Sequence, residues 1–148
     1  MLRNGWYVVP HQVTFRDIDG FGHVNNAVFL TYFEIARNQM WLEIIGGTHW
    51  SHINFILARA EVDFRKQIDM EEIEIRVRFG TIGRTSFETL YEIRKKSGDE
   101  LAATGRVVAV LYDWARQSKM EISDELRRKV TGYAAVGTSA DSSGSGAA

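Results

Sequence analysis

"DIDGFGHVNNAVFLTYFEIAR", Asp17 to Arg37, changes character part-way along. Up to Asn26 it is a dense mixture of Asp17, Asp19, Gly20, Gly22, His23, Asn25 and Asn26. Glycine reaches left-handed backbone freely, and short aspartate and asparagine side chains bond to nearby main chain, so this part reads as a tight loop. From Ala27 the spacing becomes helical. In "AVFLTYFEIARNQMWLEIIGG", Asn25 or Asn26 is placed to cap the start, and Gly46 or Gly47 to end the helix in the left-handed conformation. Apolar residues from Val28 to Ile45 occupy most of the circumference and leave a narrower polar stripe near Thr31, Glu34 and Asn38. Such a helix is expected to be largely enclosed.

On both sides of this segment the hydrophobic period is two. Tyr7, Val9, Val13 and Phe15 alternate with polar residues, which predicts a strand; Pro10 inside it has no N–H to give a ladder, so the strand belongs at an edge or is bulged there. Downstream, Ile56, Ala58, Ala60, Val62 and Phe64 form one alternating set, and Ile73, Ile75, Val77 and Phe79 another. Phe87, Tyr91 and Ile93 form a third, and the connections "IGRT" and "KSGDE" have the glycines of antiparallel hairpins. Leu101 to Tyr112 is apolar on both faces, as a central strand would be. "SDELRRKV" predicts a short C-terminal helix capped by Ser123. We divide the chain into a folded domain, residues 1–136, and a flexible Gly/Ser/Ala-rich tail, residues 137–148.

Composition removes several function classes. A chain of 148 residues, 45% hydrophobic and 11% aromatic, suits one globular domain with a real core. Eighteen basic against nineteen acidic residues give a net charge of -1, without the basic field that attracts nucleic acid or an anionic membrane. With no cysteine there is no disulfide, thiolate zinc site or cysteine nucleophile. The longest apolar stretch, Ala27 to Ile45, is broken by Glu34, Arg37 and Glu43, and "MLRNGWYVVPHQ" has no signal-peptide pattern, so the expectation is a cytoplasmic protein. His49 and His52 stand three apart without an accompanying carboxylate motif, and no metal or other cofactor is expected.

A strand, an enclosed helix and an antiparallel meander form an α+β chain whose curved sheet wraps around one long central helix. "DIDGFGHVNNAVFLTYFEIAR", "ARAEVDF", "IGRTSF" and "AATGRVVAVLYD" resemble the 4-hydroxybenzoyl-CoA thioesterase branch of the hot dog fold acyl-CoA thioesterases. The resemblance spans nearly all of Tyr7 to Asp113, and its D-x-D-x-x-G-H-V-N-N motif is its most specific part. It implies hydrolysis of a thioester to a free acid and coenzyme A, with coenzyme A entering as part of the substrate. It also implies a homodimer or dimer of dimers, and unpaired sheet edges point the same way.

The resemblance makes Asp19, second aspartate of the pair, the catalytic carboxylate, as nucleophile or as general base. Asp before Gly is also ordinary turn chemistry, and Asp17 has the structural reading of a loop cap or partner for Arg16 or Arg37. His23 is a candidate for polarising the thioester, orienting Asp19 or fixing the loop. The open helix N-terminus around Asn26 is the candidate oxyanion donor, through its main chain. Gly22 and Asn25 are candidates for substrate binding. Arg84 is a candidate for the coenzyme A phosphates, with Arg59, Arg65 and Lys66 weaker ones. Glu34 reads as an ion-pair partner for Arg37, with a catalytic glutamate as the outside alternative. Trp41, Trp50 and Phe55 suit an acyl pocket or, more simply, the core. Competing functions are an acyl-carrier-protein thioesterase, a hot dog hydratase, whose aspartate-to-histidine spacing is not matched here, and a non-catalytic acyl-thioester binding module.

Overall fold

The computed structural model describes residues 1–49 and 53–139. Its strands are β1 (Leu2–Arg3), β2 (Trp6–Gln12), β3 (Phe55–Phe64), β4 (Glu72–Ile82), β5 (Ser86–Lys95), β6 (Leu101–Asp113) and β7 (Ser118–Lys119). They form one curved antiparallel sheet in the order β1-β2-β4-β5-β6-β3, with β7 paired to β6. Helices α1 (Val28–Ile45) and α2 (Asp124–Ser139) complete the fold.

Alternation in β4 and β5 works as expected: Ile73, Ile75, Val77, Tyr91 and Ile93 are buried against α1, while charged neighbours face out and pair, Arg76 with Glu74 at 2.8 Å and Arg94 with Glu92 at 2.7 Å. In β2 the Val13 N–H reaches Glu71 and the Val8 N–H reaches Met1, so even-numbered N–H groups point away from β4. Pro10 falls on that outer side, where its missing donor is not needed. Val8 is also buried, and Phe15 leaves the alternation: it opens a 3₁₀ turn over Phe15–Asp17 and is exposed.

β3 departs most from its pattern. A bulge between Leu57 and Arg59 shifts the register to β6, and of the alternating set none becomes buried; Phe55 does instead. Among the described residues the strand has a neighbour on one side only, and Ile56, Leu57 and Phe64 stay exposed along that edge.

α1 is ended by Gly46 at φ 71°, as its glycines suggested. Its start differs from expectation: Ala27 is the cap residue, and Asn25 acts two residues earlier, its Oδ1 accepting the Ala27 N–H at 2.9 Å. Phe29, Tyr32, Phe33, Ala36, Met40 and Trp41 are buried, whereas Leu30, Thr31 and Glu34 lie exposed, so the open stripe is wider than the polar residues alone predict. Phe33 stacks on Tyr91 with ring centroids 4.3 Å apart and lies over Gly105 of β6, where a Cβ would come within 2.2 Å of the ring. Trp41 stacks on Phe87 at 5.1 Å and meets Phe55 edge-on, which makes both core residues; Trp50 lies outside the described residues. α2 begins as expected, with Ser123 Oγ accepting the Leu126 N–H at 3.1 Å, but continues past Val130 to Ser139. Tyr133, packed on Tyr7 at 6.5 Å, shows what holds that extension. Residues 140–148, the rest of the expected tail, lie outside the described residues.

Candidate active site

The loop before α1 closes on itself. Ile18 and Val24 pair as an isolated antiparallel bridge, the Asp19 N–H donates to the His23 carbonyl at 3.0 Å, and the Gly22 N–H donates to the Asp19 carbonyl at 3.0 Å. Gly22 has φ 85°, the left-handed value that makes glycine the fitting residue at the end of this turn. The Phe21 N–H then donates to Asp19 Oδ1 at 2.9 Å, which fixes the carboxylate over its own turn. Asp19 therefore forms the turn and is oriented by it.

Two further bonds seat the loop on the protein: Val24 N–H to the Ile68 carbonyl and Asn25 N–H to the Asp17 carbonyl, both at 2.8 Å. Asp17 is the structural member of the pair. Its Oδ2 accepts from the Thr14 N–H at 2.9 Å, the Thr14 hydroxyl at 3.2 Å and the Tyr32 hydroxyl at 2.9 Å, rather than from Arg16 or Arg37. Burial opposes its ionisation, but the Thr14 N–H, the Tyr32 and Thr14 hydroxyls and nearby His11 outweigh that and hold its carboxyl below the ordinary 3.8. Tyr32 responds oppositely: burial and the Asp17 charge push its phenol far up.

Asp19, His23 and Asn26 share the wall of a cavity of about 370 Å³, with Phe29 and Phe64 as apolar surface and Arg65 and Lys66 as the cationic side. His23 Nδ1 lies 2.7 Å from Asp69 Oδ1. A carboxylate partner places a proton on Nδ1, so in the neutral imidazole Nε2 is the accepting nitrogen. Asp69, 46 residues from His23, escaped the sequence reading because nothing local marks it. At the helix start, Ala27 N–H is taken by Asn25 Oδ1 and Val28 N–H by the Asn25 carbonyl at 2.9 Å. Among the described residues the Asn26 N–H has no partner.

The remaining candidates distribute unevenly. Gly22 shapes the turn and Asn25 organises the helix entry, neither on the cavity wall. Arg84, on the β4–β5 connection, is exposed and faces Glu121 at 3.4 Å; it does not line the cavity. Arg65 and Lys66 are there instead, anchored by N–H bonds to the Ala102 carbonyl at 2.9 and 3.0 Å. Glu34 makes no ion pair with Arg37, which is buried and donates from Nη1 to the Tyr91 hydroxyl at 3.2 Å. No cluster of three or more histidine, cysteine or acidic side chains suited to a metal occurs among the described residues; His52 lies outside them. No helix among the described residues is long and apolar enough to cross a membrane.

The profile of the thioesterase-like superfamily matches residues 13–130 of this sequence, which includes the loop, the cavity and every long strand from β3 to β6. The chain belongs to that superfamily. Within the thioesterase-like proteins, the structure of a thioesterase complexed with coenzyme A and zinc from Thermus thermophilus is 30% identical and superposes with a TM-score of 0.77, covering 88% of this chain and 95% of that one. The structure of a predicted thioesterase from Bacillus stearothermophilus gives a TM-score of 0.79 at 23% identity, over 86% of this chain and 95% of that one, and shares the fold. An uncharacterised Bacillus subtilis protein, YsmA, is 29% identical over 99 residues, 66% of this chain and 67% of its own length.

Proposed function

We propose that the protein hydrolyses an acyl or aroyl thioester of coenzyme A to the free acid and coenzyme A. The observation that carries this reading is the shared cavity: Asp19, whose carboxylate is oriented, and Asn26, whose N–H has no partner among the described residues, both line one pocket at the entry to α1. In this reading α1 is the central helix of a hot dog fold. The Asn26 N–H, aided by the helix dipole, stabilises the oxyanion that develops as the carbonyl is attacked. Asp19 either attacks the carbonyl itself, giving a mixed anhydride that water opens, or takes the proton from an attacking water. In both routes the C–S bond breaks, one water is consumed, and the thiolate leaves as coenzyme A thiol once protonated. His23 is kept in place by Asp69 to accept or return a proton at Nε2.

Arg65 and Lys66 are the groups we assign to the phosphates, because they sit on the same cavity and have no carboxylate partner among the described residues. Arg84 joins them only if a second protomer presents it. The unpaired outer edge of β3, with Ile56, Leu57 and Phe64 exposed, supports assembly as a two-fold dimer. A cytoplasmic location goes with this substrate class.

Thiol release from a panel of aromatic, short-chain and long-chain acyl-CoA esters tests the reading, and one or more is expected to turn over. Saturable binding across the panel without thiol release would replace the enzyme by an acyl-thioester binding module. Single turnover in ¹⁸O-water tests the nucleophile route: label in Asp19 identifies a mixed anhydride opened at the aspartyl carbonyl, whereas label in the product acid alone is common to the general-base route and to opening at the acyl carbonyl.

A further inference from the structure

The β1–β2 turn leaves a corner of the sheet unfilled. Asn4 at φ 52° and Gly5 at φ 75° reverse the chain in a two-residue hairpin loop with both positions left-handed. The β2–β4 ladder ends where Tyr7 meets Val77, and β4 runs on to Ile82 without β2 beside it. At that corner, with Tyr133 of α2 closing from the far side, lies a cavity of about 340 Å³. Leu2, Phe79, Leu90 and Tyr133 give it apolar walls, and all four are half-buried, so each offers accessible surface. The cavity shares no lining residue with the Asp19 cavity and lies at the β1 end of the sheet, away from the β3 edge. Its volume is at the lower end of small-molecule sites and well above a water-sized void.

Among the described residues Arg78 is the one charged side chain on this wall, and it is exposed. On the same outer face of the sheet, Arg76, Arg94 and Arg106 are each paired with a glutamate. Arg78 has no carboxylate partner among the described residues; its guanidinium lies over the Trp6 ring, 4.5 Å from the centre. Leu90 is its cross-strand partner, and the glutamates on either side of Leu90 along that face are already taken, Glu88 by Arg106 and Glu92 by Arg94. The indole steadies one face of the guanidinium and leaves its in-plane N–H donors to an incoming acceptor. Glu43, close to the Tyr7 and Tyr133 hydroxyls, is exposed and does not line the cavity, so water screens its charge.

We propose that this corner binds a medium-sized organic monocarboxylate, its carboxylate on the Arg78 guanidinium and its apolar body between Leu2, Phe79 and Leu90. The proposal is independent of the thioesterase reading, and its readouts are not activity. A lone cation matches a single negative charge, and a planar carboxylate accepts two parallel N–H bonds from the guanidinium fork. The apolar walls remove from water the chain or ring that carries it.

The test follows the Trp6 indole N–H and the Leu2 and Leu90 methyl resonances of the full chain during titration with sodium octanoate at constant ionic strength, below its micelle-forming concentration. 1-Octanol lacks the charge and sodium acetate lacks the apolar body. Octanoate should shift these resonances saturably and raise the melting temperature; octanol should bind about 10-fold or more weakly, and acetate should do neither. Arg78→Gln, a change at an exposed position, should weaken octanoate binding by about 10-fold or more. Leu90→Glu sets a carboxylate across the ladder from Arg78 and should abolish the Trp6 shift by occupying the guanidinium. Octanoate affinity unchanged in both variants would overturn the proposal, as would non-saturating shifts of equal size with all three probes. Saturable shifts at His23 and Val24 with Trp6 unmoved would overturn it too, by placing the acid in the Asp19 cavity.

Discussion

Asp17 and Asp19 stand two residues apart, and hydrogen bonds divide their work. Asp17 collects three donors and braces the loop against Tyr32, whereas Asp19 is held by the Phe21 N–H alone on a cavity wall. Because the folded state lowers the Asp17 pKa below 3.8, its contribution to stability is fully present above that value and is lost as pH falls through the folded pKa. Asp17→Ala should therefore cost about 1.5–3 kcal/mol at neutral pH, with the gap to wild type narrowing below about pH 4, as read by denaturant unfolding across pH. Asp69 acts through His23, to which it is bonded at 2.7 Å. Asp69→Asn should lower kcat about 10-fold with little change in KM, since it loosens the imidazole without touching the substrate; Asp69→Glu should recover part of the loss. The two aspartates of the motif were legible because local chemistry marks them. Asp69 and the Tyr91 partner of Arg37 were not, because each pairing joins residues distant in sequence.

Among the elements, α1 and β6 meet most closely where Phe33 covers Gly105. Gly105→Ala should destabilise by about 1–3 kcal/mol in equilibrium unfolding, because the added methyl must displace a ring that is itself fully buried against Tyr91. In a double-mutant cycle with Phe33→Leu the two losses should add to less than their sum. The helix and the buried face of β4 could be read directly, since each keeps one hydrophobic period throughout. β3 could not: its apolar alternation is real, but a bulge and an edge position leave that set without cover among the described residues. α2 was read too short because Gly132 and Gly137 lower helix propensity, while the packing of Tyr133 on Tyr7 holds the extension.

At the scale of the molecule, one antiparallel sheet and α1 place Asp19, His23 and Asn26 around one cavity. The order of the elements, and with it the superfamily, was already written in the sequence; which cations meet the cavity was not, since Arg65 and Lys66 are brought there by the course of the chain after β3. In the proposed function Asp19 drives thioester hydrolysis. Thiol release by wild type and Asp19→Asn, with coenzyme A binding followed in the same preparations, tests it most directly, and a chain without cysteine does not consume the thiol reagent. Asp19→Asn should lose more than about 100-fold in rate with binding retained. An Asp19→Asn protein that hydrolyses the same ester at close to the wild-type rate would contradict it.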